Sequence, residues 1–305
     1  MKISITYLYT IFRYGYPPEF EDDLKALSEI QKLGFHYLEM EGLGPQHLRS
    51  VYRNRIQLLN ALNDCDLRVH NFCAVDPDLV SPHQARYERA LDRFKRAAEL
   101  GDFLGAETLH LASYAPPVRY LERKPYQLAE GGEYAFADYS PIRIPSGFEW
   151  NEVWNTLIKS CRTCADIAAQ HGKTVIMEPR VGETICSVDS MLRLVEQVKR
   201  PNFKANFDTA HFCAQRENVA LGLMKLKGRF ANVHIADNNP ANTQHLPIGD
   251  GIIDWREFFR VLKLLKYDGY LGLDLGASKS LVQAYRKSVE RIRTIAADRK
   301  FRVEI

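Results

Sequence analysis

The sequence has no apolar stretch long enough to cross a membrane as a helix, which takes about 20 consecutive residues. It also has no run of five or six like charges, and its 41 basic and 38 acidic residues leave a formal charge of only +3. The amino-terminal segment MKISITYLYTIFRYGY lacks a small-residue cleavage site, so we interpret it as a first strand and not as a signal peptide. These absences predict neither a nucleic-acid partner nor a membrane association.

Cysteine is scarce and dispersed, with six residues in a chain of 305. This number does not build a disulfide framework, so we expect reduced cysteines and a cytoplasmic protein. Cys161 and Cys164 have the spacing of a redox or zinc motif, but they lie in a stretch of helical period, and no second pair completes a zinc site. We interpret them as structural.

The glycine-rich GxGxxG turn of dinucleotide-binding folds is also missing after the first apolar segment. What is present is an alternation of short β-branched runs with longer segments of helical period, in which eight pairs can be counted. The predicted strands are KISITYLY, FHYLEM, LRVHNFC, TLHLAS, TVIMEP, FKANFD, ANVHIA and YLGLDL. Strict alternation implies parallel strands, and the length of the chain suits eight βα units. We therefore predict an α/β fold, a (β/α)8 TIM barrel, with residues 1–305 as one domain.

Two helix starts carry capping residues, Ser187 before VDSMLRLVEQV and Asp254 before WREFFRVLKLL. The regular rhythm is interrupted once, by a long aromatic-rich insertion at about 115–150, after the fourth strand. Because that strand ends at the active-site face of a barrel, we expect the insertion to be a lid, a specificity loop or a subunit contact, or else a surface excursion without function.

Polar residues finish the last four predicted strands. TVIMEP ends with Glu178 and FKANFD with Asp208, ANVHIA presents His234, and YLGLDL presents Asp274. The carboxyl ends of barrel strands converge on one mouth, and carboxylate oxygens with one imidazole nitrogen suit a divalent cation. A single carboxylate could instead pair with an arginine, but four such residues on four consecutive strands predict a metal site.

Several strings in the second half carry a family resemblance. They are EPR at Glu178, FDTAH at 207–211, VHIADN at 233–238 and HLPIGDGIIDW at 245–255. These motifs, in this order and at similar spacing, resemble the xylose isomerase-like superfamily, which includes sugar and sugar-phosphate isomerases and epimerases, inosose dehydratases and endonuclease IV. The resemblance runs from the first strand to the last.

The resemblance implies one divalent metal ion, Mn first and otherwise Mg, Co or Zn, on Glu178, Asp208, His234 and Asp274. It also implies a substrate role for His211, the histidine of the DxxH motif. The sequence departs from the ketose 3-epimerase pattern twice: Asp274 stands where those enzymes usually have Glu, and no arginine follows His234 near Pro240.

Four further side chains are expected near the same mouth. His70 and His110 lie towards the ends of the third and fourth strands, His245 lies beside the glycines of LPIGDG, and Arg180 follows Glu178. We predict substrate-binding roles for them, with structural roles as the alternative. Trp255, Phe72 and Tyr114 could form apolar walls or simply pack.

The metal would act as a Lewis acid, and the reaction would proceed through a metal-bound enediolate. We predict that Glu178 or Asp274 moves the proton while His211 or His110 holds substrate oxygens. The leading hypothesis is an isomerase or epimerase of a ketose or keto-sugar.

The alternatives differ in the fate of that intermediate. A lyase could act on an oxidised sugar or cyclitol, as an inosose dehydratase or the large subunit of a C-glycoside deglycosidase does, the latter with a small partner subunit.

Other function classes do not involve that intermediate. An AP endonuclease would need a basic rim, which the balanced charge does not favour. A metal-free sugar-binding barrel would lack the four ligands. A homo-oligomer is also compatible with the sequence.

Overall fold

The computed structural model describes residues 1–122, 141–240, 243–276, 278, 280–299 and 301–305. The strands within these ranges are β1 Lys2–Ile5, β2 Tyr37–Glu41, β3 Arg68–Cys73, β4 Thr108–Ala112, β5 Arg119–Tyr120, β6 Ile142–Arg143, β7 Thr174–Glu178, β8 Phe203–Asp208, β9 Phe230–Ile235 and β10 Tyr270–Leu273.

Eight of these strands close into a parallel barrel in the order β1-β2-β3-β4-β7-β8-β9-β10, with β10 paired back to β1. Each predicted strand corresponds to one of them, so the (β/α)8 TIM barrel is confirmed. In a closed parallel barrel every strand end of one polarity lies on the same rim, and the site is therefore sought at the carboxyl-terminal rim.

Helices alternate with the barrel strands along the chain. They are α1 Leu8–Tyr14, α2 Phe20–Lys32, α3 Gly44–Arg53, α4 Arg55–Asp64, α5 Gln84–Phe103, α6 Trp150–Ala169, α7 Val188–Val198, α8 Thr209–Ala214, α9 Val219–Lys225, α10 Trp255–Leu264 and α11 Leu281–Arg299, with a 3-10 turn at Pro77–Val80. Among the helices of the described residues, none is long and apolar enough to span a bilayer.

The predicted helix caps are confirmed. Ser187 Oγ accepts from the Ser190 backbone N–H at 3.1 Å, and Asp254 Oδ1 accepts from the Glu257 N–H at 3.0 Å. The two cysteines with paired spacing, Cys161 and Cys164, are buried within α6.

The first strand is shorter than KISITYLY predicted. It ends at Ile5, opposite Leu273, which is the last residue of β10. Thr6 then donates both its backbone N–H and its hydroxyl to the Leu273 carbonyl oxygen. With no further partner on β10, the chain turns into α1, and the aromatic residues that resembled strand become helix.

The insertion after β4 is partly described. Its base is a short antiparallel ladder in which Arg119 pairs with Arg143 and Tyr120 with Ile142. Residues 123–140, most of the predicted lid or specificity loop, lie outside the described residues, so the role of the segment 115–150 stays a prediction, as does the single domain 1–305.

Candidate metal centre and active site

The four predicted metal ligands come together at the carboxyl-terminal rim. Glu178 and Asp208 are the last residues of β7 and β8. His234 is near the end of β9, and Asp274 directly follows β10. His234 Nδ1 lies 2.8 Å from Glu178 Oε1, 3.8 Å from Asp208 Oδ2 and 3.9 Å from Asp274 Oδ1. Three buried carboxylates therefore surround one buried imidazole nitrogen.

Two buried polar atoms of this cluster are better suited to binding a cation than to hydrogen bonding within the chain. His234 Nδ1 and Asp208 Oδ2 are buried and make no well-formed hydrogen bond among the described residues, although Glu178 Oε1 lies 2.8 Å from the ring nitrogen. Buried polar atoms normally have a hydrogen-bond partner. Carboxylate oxygens and an imidazole nitrogen are donors for Mn²⁺, Zn²⁺ and Co²⁺. The residues present therefore fit one divalent ion.

Glu39 on β2 orients the histidine of this cluster. Its two carboxylate oxygens each lie 3.1 Å from His234 Nε2. A carboxylate that accepts the Nε2 proton leaves Nδ1, on the side of the three other carboxylates, as the nitrogen available to a cation. Gly272 on β10 makes room for this pair, because a Cβ there would lie 3.2 Å from the His234 ring and 3.3 Å from Glu39 Oε1.

Two asparagines link Glu39 to Glu178 beneath the cluster. Asn232 Nδ2 donates to Glu39 Oε1 at 3.0 Å and to Asn206 Oδ1 at 3.1 Å. Asn206 Nδ2 donates in turn to Glu178 Oε1 at 3.0 Å. This buried network holds both carboxylates in position, which is what a preorganised metal site needs.

The electrostatics of the cluster follow from burial and opposite charge. Burial alone raises the pKa of Glu39, but His234 outweighs it and lowers that pKa to about 2. Burial lowers the pKa of His234, yet Glu39 and Asp274 raise it well above its ordinary value. Burial raises the pKa of Asp208 to about 7. Excess negative charge at this point attracts either protons or a metal cation.

His245 holds the strand-end aspartate. Its Nδ1 lies 2.9 Å from Asp274 Oδ2 and 2.8 Å from the Asp274 carbonyl oxygen. Burial lowers the pKa of His245, but the hydrogen bond with Asp274 raises it to about 9. The ring packs edge-on against His211, with centroids 5.0 Å apart. His211 lies in the first turn of α8, and its backbone N–H donates to Oδ1 of the capping residue Asp208 at 2.8 Å.

His70 on β3 and His110 on β4 lie at different depths below the rim of the barrel. His110 lines the cavity, with Nε2 3.8 Å from Glu178 Oε2 and Nδ1 3.3 Å from Cys73 Sγ. His70 does not line it: the ring stacks on Tyr270 at 3.9 Å, and Nε2 lies 2.8 Å from Ser4 Oγ. The structure therefore brings His110, but not His70, to the predicted substrate position.

Arg180 reaches the cavity wall in a defined orientation. Its Nε and Nη2 bond the two oxygens of Glu183 at 3.0 and 2.7 Å, and Ser113 Oγ donates to the same carboxylate at 2.7 Å. A bidentate partner restricts a guanidinium to one direction. Arg180 thus lines the same cavity as Glu178, His234 and Asp274.

A cavity of about 100 Å³ lies above the cluster. Its walls are Thr6, Tyr7, Leu8, Ile11, Tyr16, Glu39, Glu41, Cys73, Val75, His110, Glu178, Arg180, His211, His234, His245 and Asp274. Five of these residues were not predicted from the sequence: Glu39, Glu41, Cys73, Tyr7 and Tyr16. A signal for the two glutamates was present, because residues two apart on a strand share a face and both are acidic in an apolar segment.

The three aromatic residues considered as walls pack elsewhere. Phe72 is fully buried in the core, and the Tyr114 hydroxyl accepts the Asp76 backbone N–H. Trp255 Nε1 donates to Asp237 Oδ2 at 2.8 Å. None of the three belongs to the described lining of the cavity.

The glycines of LPIGDG shape the loop after β9. The Gly249 N–H donates to Asp237 Oδ2 at 2.8 Å, and a Cβ on Gly251 would overlap Asp237 Oδ1 and the Asn238 carbonyl oxygen. These glycines therefore allow the chain to pack closely against its own loop at Asp237 and Asn238.

The sequence of this barrel matches the model of one protein family over residues 27–295, most of the chain. The chain belongs to the xylose isomerase-like TIM barrel family. The resemblance drawn from the second-half motifs is thereby confirmed.

Known relatives of this xylose isomerase-like barrel include sugar epimerases. The chain is 23% identical over 256 residues to L-ribulose-5-phosphate 3-epimerase UlaE of Escherichia coli (strain SMS-3-5 / SECEC), a match that covers 82% of this chain and 79% of the relative. A D-tagatose 3-epimerase-like protein superposes with a TM-score of 0.74 at 18% identity, covering 98% of both chains. The 3-keto-D-glucoside 4-epimerase YcjR of E. coli superposes with a TM-score of 0.72 at 20% identity, covering 96% of this chain and 99% of that one.

Proposed function

We propose that this chain is a divalent-metal-dependent epimerase or isomerase of a ketose or keto-sugar. The observation that carries the proposal is the convergence of three buried carboxylates on His234 Nδ1 at the rim of a xylose isomerase-like barrel. The relatives support it, since two of those named above are sugar epimerases and the third is a D-tagatose 3-epimerase-like protein.

In this proposal Glu178, Asp208, His234 and Asp274 hold the ion. When bound, the ion supplies positive charge that polarises a carbonyl and stabilises negative charge on neighbouring oxygens. Mn²⁺ is the first choice, with Mg²⁺, Co²⁺ and Zn²⁺ as alternatives.

The side chains around the cluster have separate tasks in the proposal. Glu178 lines the cavity and its Oε2 lies 3.8 Å from His110 Nε2, and in the proposal this carboxylate takes a proton from the carbon beside a carbonyl. Asp274 is tied to His245 and is less free to act as a base. Arg180, His211 and His110 line the cavity and are placed to bind substrate hydroxyls.

His70 takes a positioning role here. It lies 3.6 Å from Glu39 Oε1, and burial lowers its pKa to about 4, so it is neutral at physiological pH. A neutral ring between Ser4 and Glu39 orients the carboxylate that orients His234.

A reducing, cytoplasmic location is part of the proposal, and the six unbridged cysteines agree with it. A homo-oligomer or a small partner subunit also stays a prediction.

The test combines metal content with hydrogen exchange. Purified protein is stripped, reloaded with Mn²⁺, analysed for metal and incubated in heavy water with free and phosphorylated ketoses and keto-glycosides. About one ion per chain, with deuterium at the carbon beside the carbonyl and formation of an epimer or isomer, is the expected result. Loss of water or of a glycosyl group would instead favour the lyase, and no exchange with any of these sugars would reject both.

Asp208→Asn is the variant for this test, because it removes one charge from the cluster at constant shape. We expect it to lose the ion, the exchange and the rise in Tm that Mn²⁺ produces. Glu88→Gln, on the exposed face of α5, is the matched control and should retain all three.

A further inference from the structure

Glu41 is a second glutamate of β2 that faces the cavity. Residues two apart on a strand point to the same side, so Glu41 lies one layer above Glu39, closer to the rim. Met40 between them is buried in the core. Glu41 pairs in register with Cys73 of β3, and both line the cavity.

The other carboxylates of the cavity wall already have partners. Glu39 accepts from Asn232 and His234, Glu178 accepts from Asn206, and Asp274 accepts from His245. The Glu41 carboxylate makes no hydrogen bond or ion pair within the ranges that the structure describes.

The nearest opposite charge does not neutralise Glu41 by contact. Arg180 acts on it electrostatically, but its guanidinium is bound at two points by Glu183. A buried carboxylate without a direct partner is costly, and such groups concentrate where proton transfer is needed.

Glu41 and Glu178 stand nearly across the cavity from each other. Their strands, β2 and β7, are three steps apart around an eight-stranded barrel, with β3 and β4 between them. A small polyol held between them would present one face to each.

We propose that Glu41 is an acid–base residue that exchanges a proton with the reacting carbon on the face opposite Glu178; this rests on the epimerase function proposed above. One carboxylate takes the proton as the C–H bond breaks and the electron pair moves onto the carbonyl. The other, protonated, delivers its proton to the same carbon from the opposite side as the carbonyl forms again. The two groups end with exchanged protonation states, which proton exchange with water resets, and no oxidant or reductant is needed.

The charge environment suits this role. Burial raises the pKa of Glu41 to about 8, and although Arg180 opposes this shift, Glu178, Glu39 and Asp274 add to it. Burial in the cavity thus favours the protonated form of Glu41, which is the partner that such a mechanism needs opposite an ionised base.

The test uses Glu41→Gln in the Mn²⁺-loaded protein, with the sugar that exchanges in the wild type. Each epimer is incubated separately in heavy water. We expect epimerisation to fall by about 10²- to 10⁴-fold, while one epimer still takes up deuterium at close to the wild-type rate and the other no longer does. Metal content should stay at the wild-type value.

Glu41→Asp keeps the carboxyl group one methylene shorter, and we expect it to recover part of the epimerisation lost in Glu41→Gln. Glu88→Gln is again the control. Epimerisation by Glu41→Gln within about threefold of the wild type would overturn the inference, as would equal loss of exchange from both epimers with the metal retained. A failure of the proposed function can be told apart from a failure of this inference, because the wild type itself would then incorporate deuterium into no ketose.

Discussion

Glu39 and His234 meet across the interior of the barrel, with both glutamate oxygens 3.1 Å from the same ring nitrogen, Nε2. The two residues are 195 positions apart in the sequence. Their strands, β2 and β9, are separated in the barrel by β1 and β10. This contact orients the ring so that Nδ1 faces Glu178, Asp208 and Asp274, so the proposed metal centre depends on a strand that supplies none of the proposed ligands.

The first prediction concerns this contact. Glu39→Gln leaves the shape unchanged but replaces the carboxylate that holds the His234 Nε2 proton. We expect Mn²⁺ affinity to fall by about 10- to 100-fold, measured by chelator competition, with the fold retained. Glu88→Gln should not change it. Equal affinities in the wild type and Glu39→Gln would show that the contact does not tune the site.

The second prediction concerns the loop after β9. Gly251→Ala places a methyl group against Asp237 Oδ1 and 2.6 Å from the Asn238 backbone nitrogen, so the loop must move. We expect a loss of at least about 2 kcal/mol in the free energy of unfolding by urea. Gly228→Ala is the comparison: it meets no atom within 4 Å and has φ +74°, so it should cost only about 1 kcal/mol. Equal losses would contradict the close approach.

The third prediction concerns stability and pH. The pKa of Glu41 is about 8 in the folded protein and about 4.3 in an unfolded chain. Between these values the folded state binds a proton that the unfolded state does not, so Glu41 makes stability fall as pH rises. Glu41→Gln removes this contribution. Without metal, the free energy of unfolding of the variant should exceed that of the wild type by a few kcal/mol at pH 8.5, and the two should be nearly equal at pH 4.5.

Urea titrations of both proteins at the two pH values measure that difference. Asp208, whose pKa is also raised by burial, is present in both and cancels in the comparison. A difference that is the same at both pH values would contradict the burial of an ionisable Glu41 carboxyl.

The fourth prediction concerns Arg180. Glu183→Gln removes the charged bidentate partner that aims the guanidinium, at constant shape. If Arg180 binds a substrate oxygen, KM should rise about tenfold while kcat changes little, since uniform binding is lost. Arg180→Lys keeps the positive charge but loses the planar guanidinium with its paired N–H donors, and it should give the same pattern. A fall in kcat at constant KM would assign the pair to the chemical step instead.

Much of this site could be predicted from the sequence because of one property of parallel barrels. Every strand delivers its carboxyl end to the same rim, so Glu178, Asp208, His234 and Asp274 could be selected simply as the polar residues that finish apolar runs. The caps Ser187 and Asp254 could be predicted for a similar reason, since a cap acts on the backbone three residues further on.

The sequence alone thus determined the alternation of strands and helices, the family, and the residues that end the last four barrel strands. The tertiary structure decided which other side chains reach them. The predicted second strand stopped at Met40, whereas β2 runs to Glu41, and its register against β3 shifts between Leu38 and Glu39. Such a shift depends on the neighbouring strand, so it sets the depth of Glu39, Glu41 and His70 in the barrel in a way that no single segment encodes.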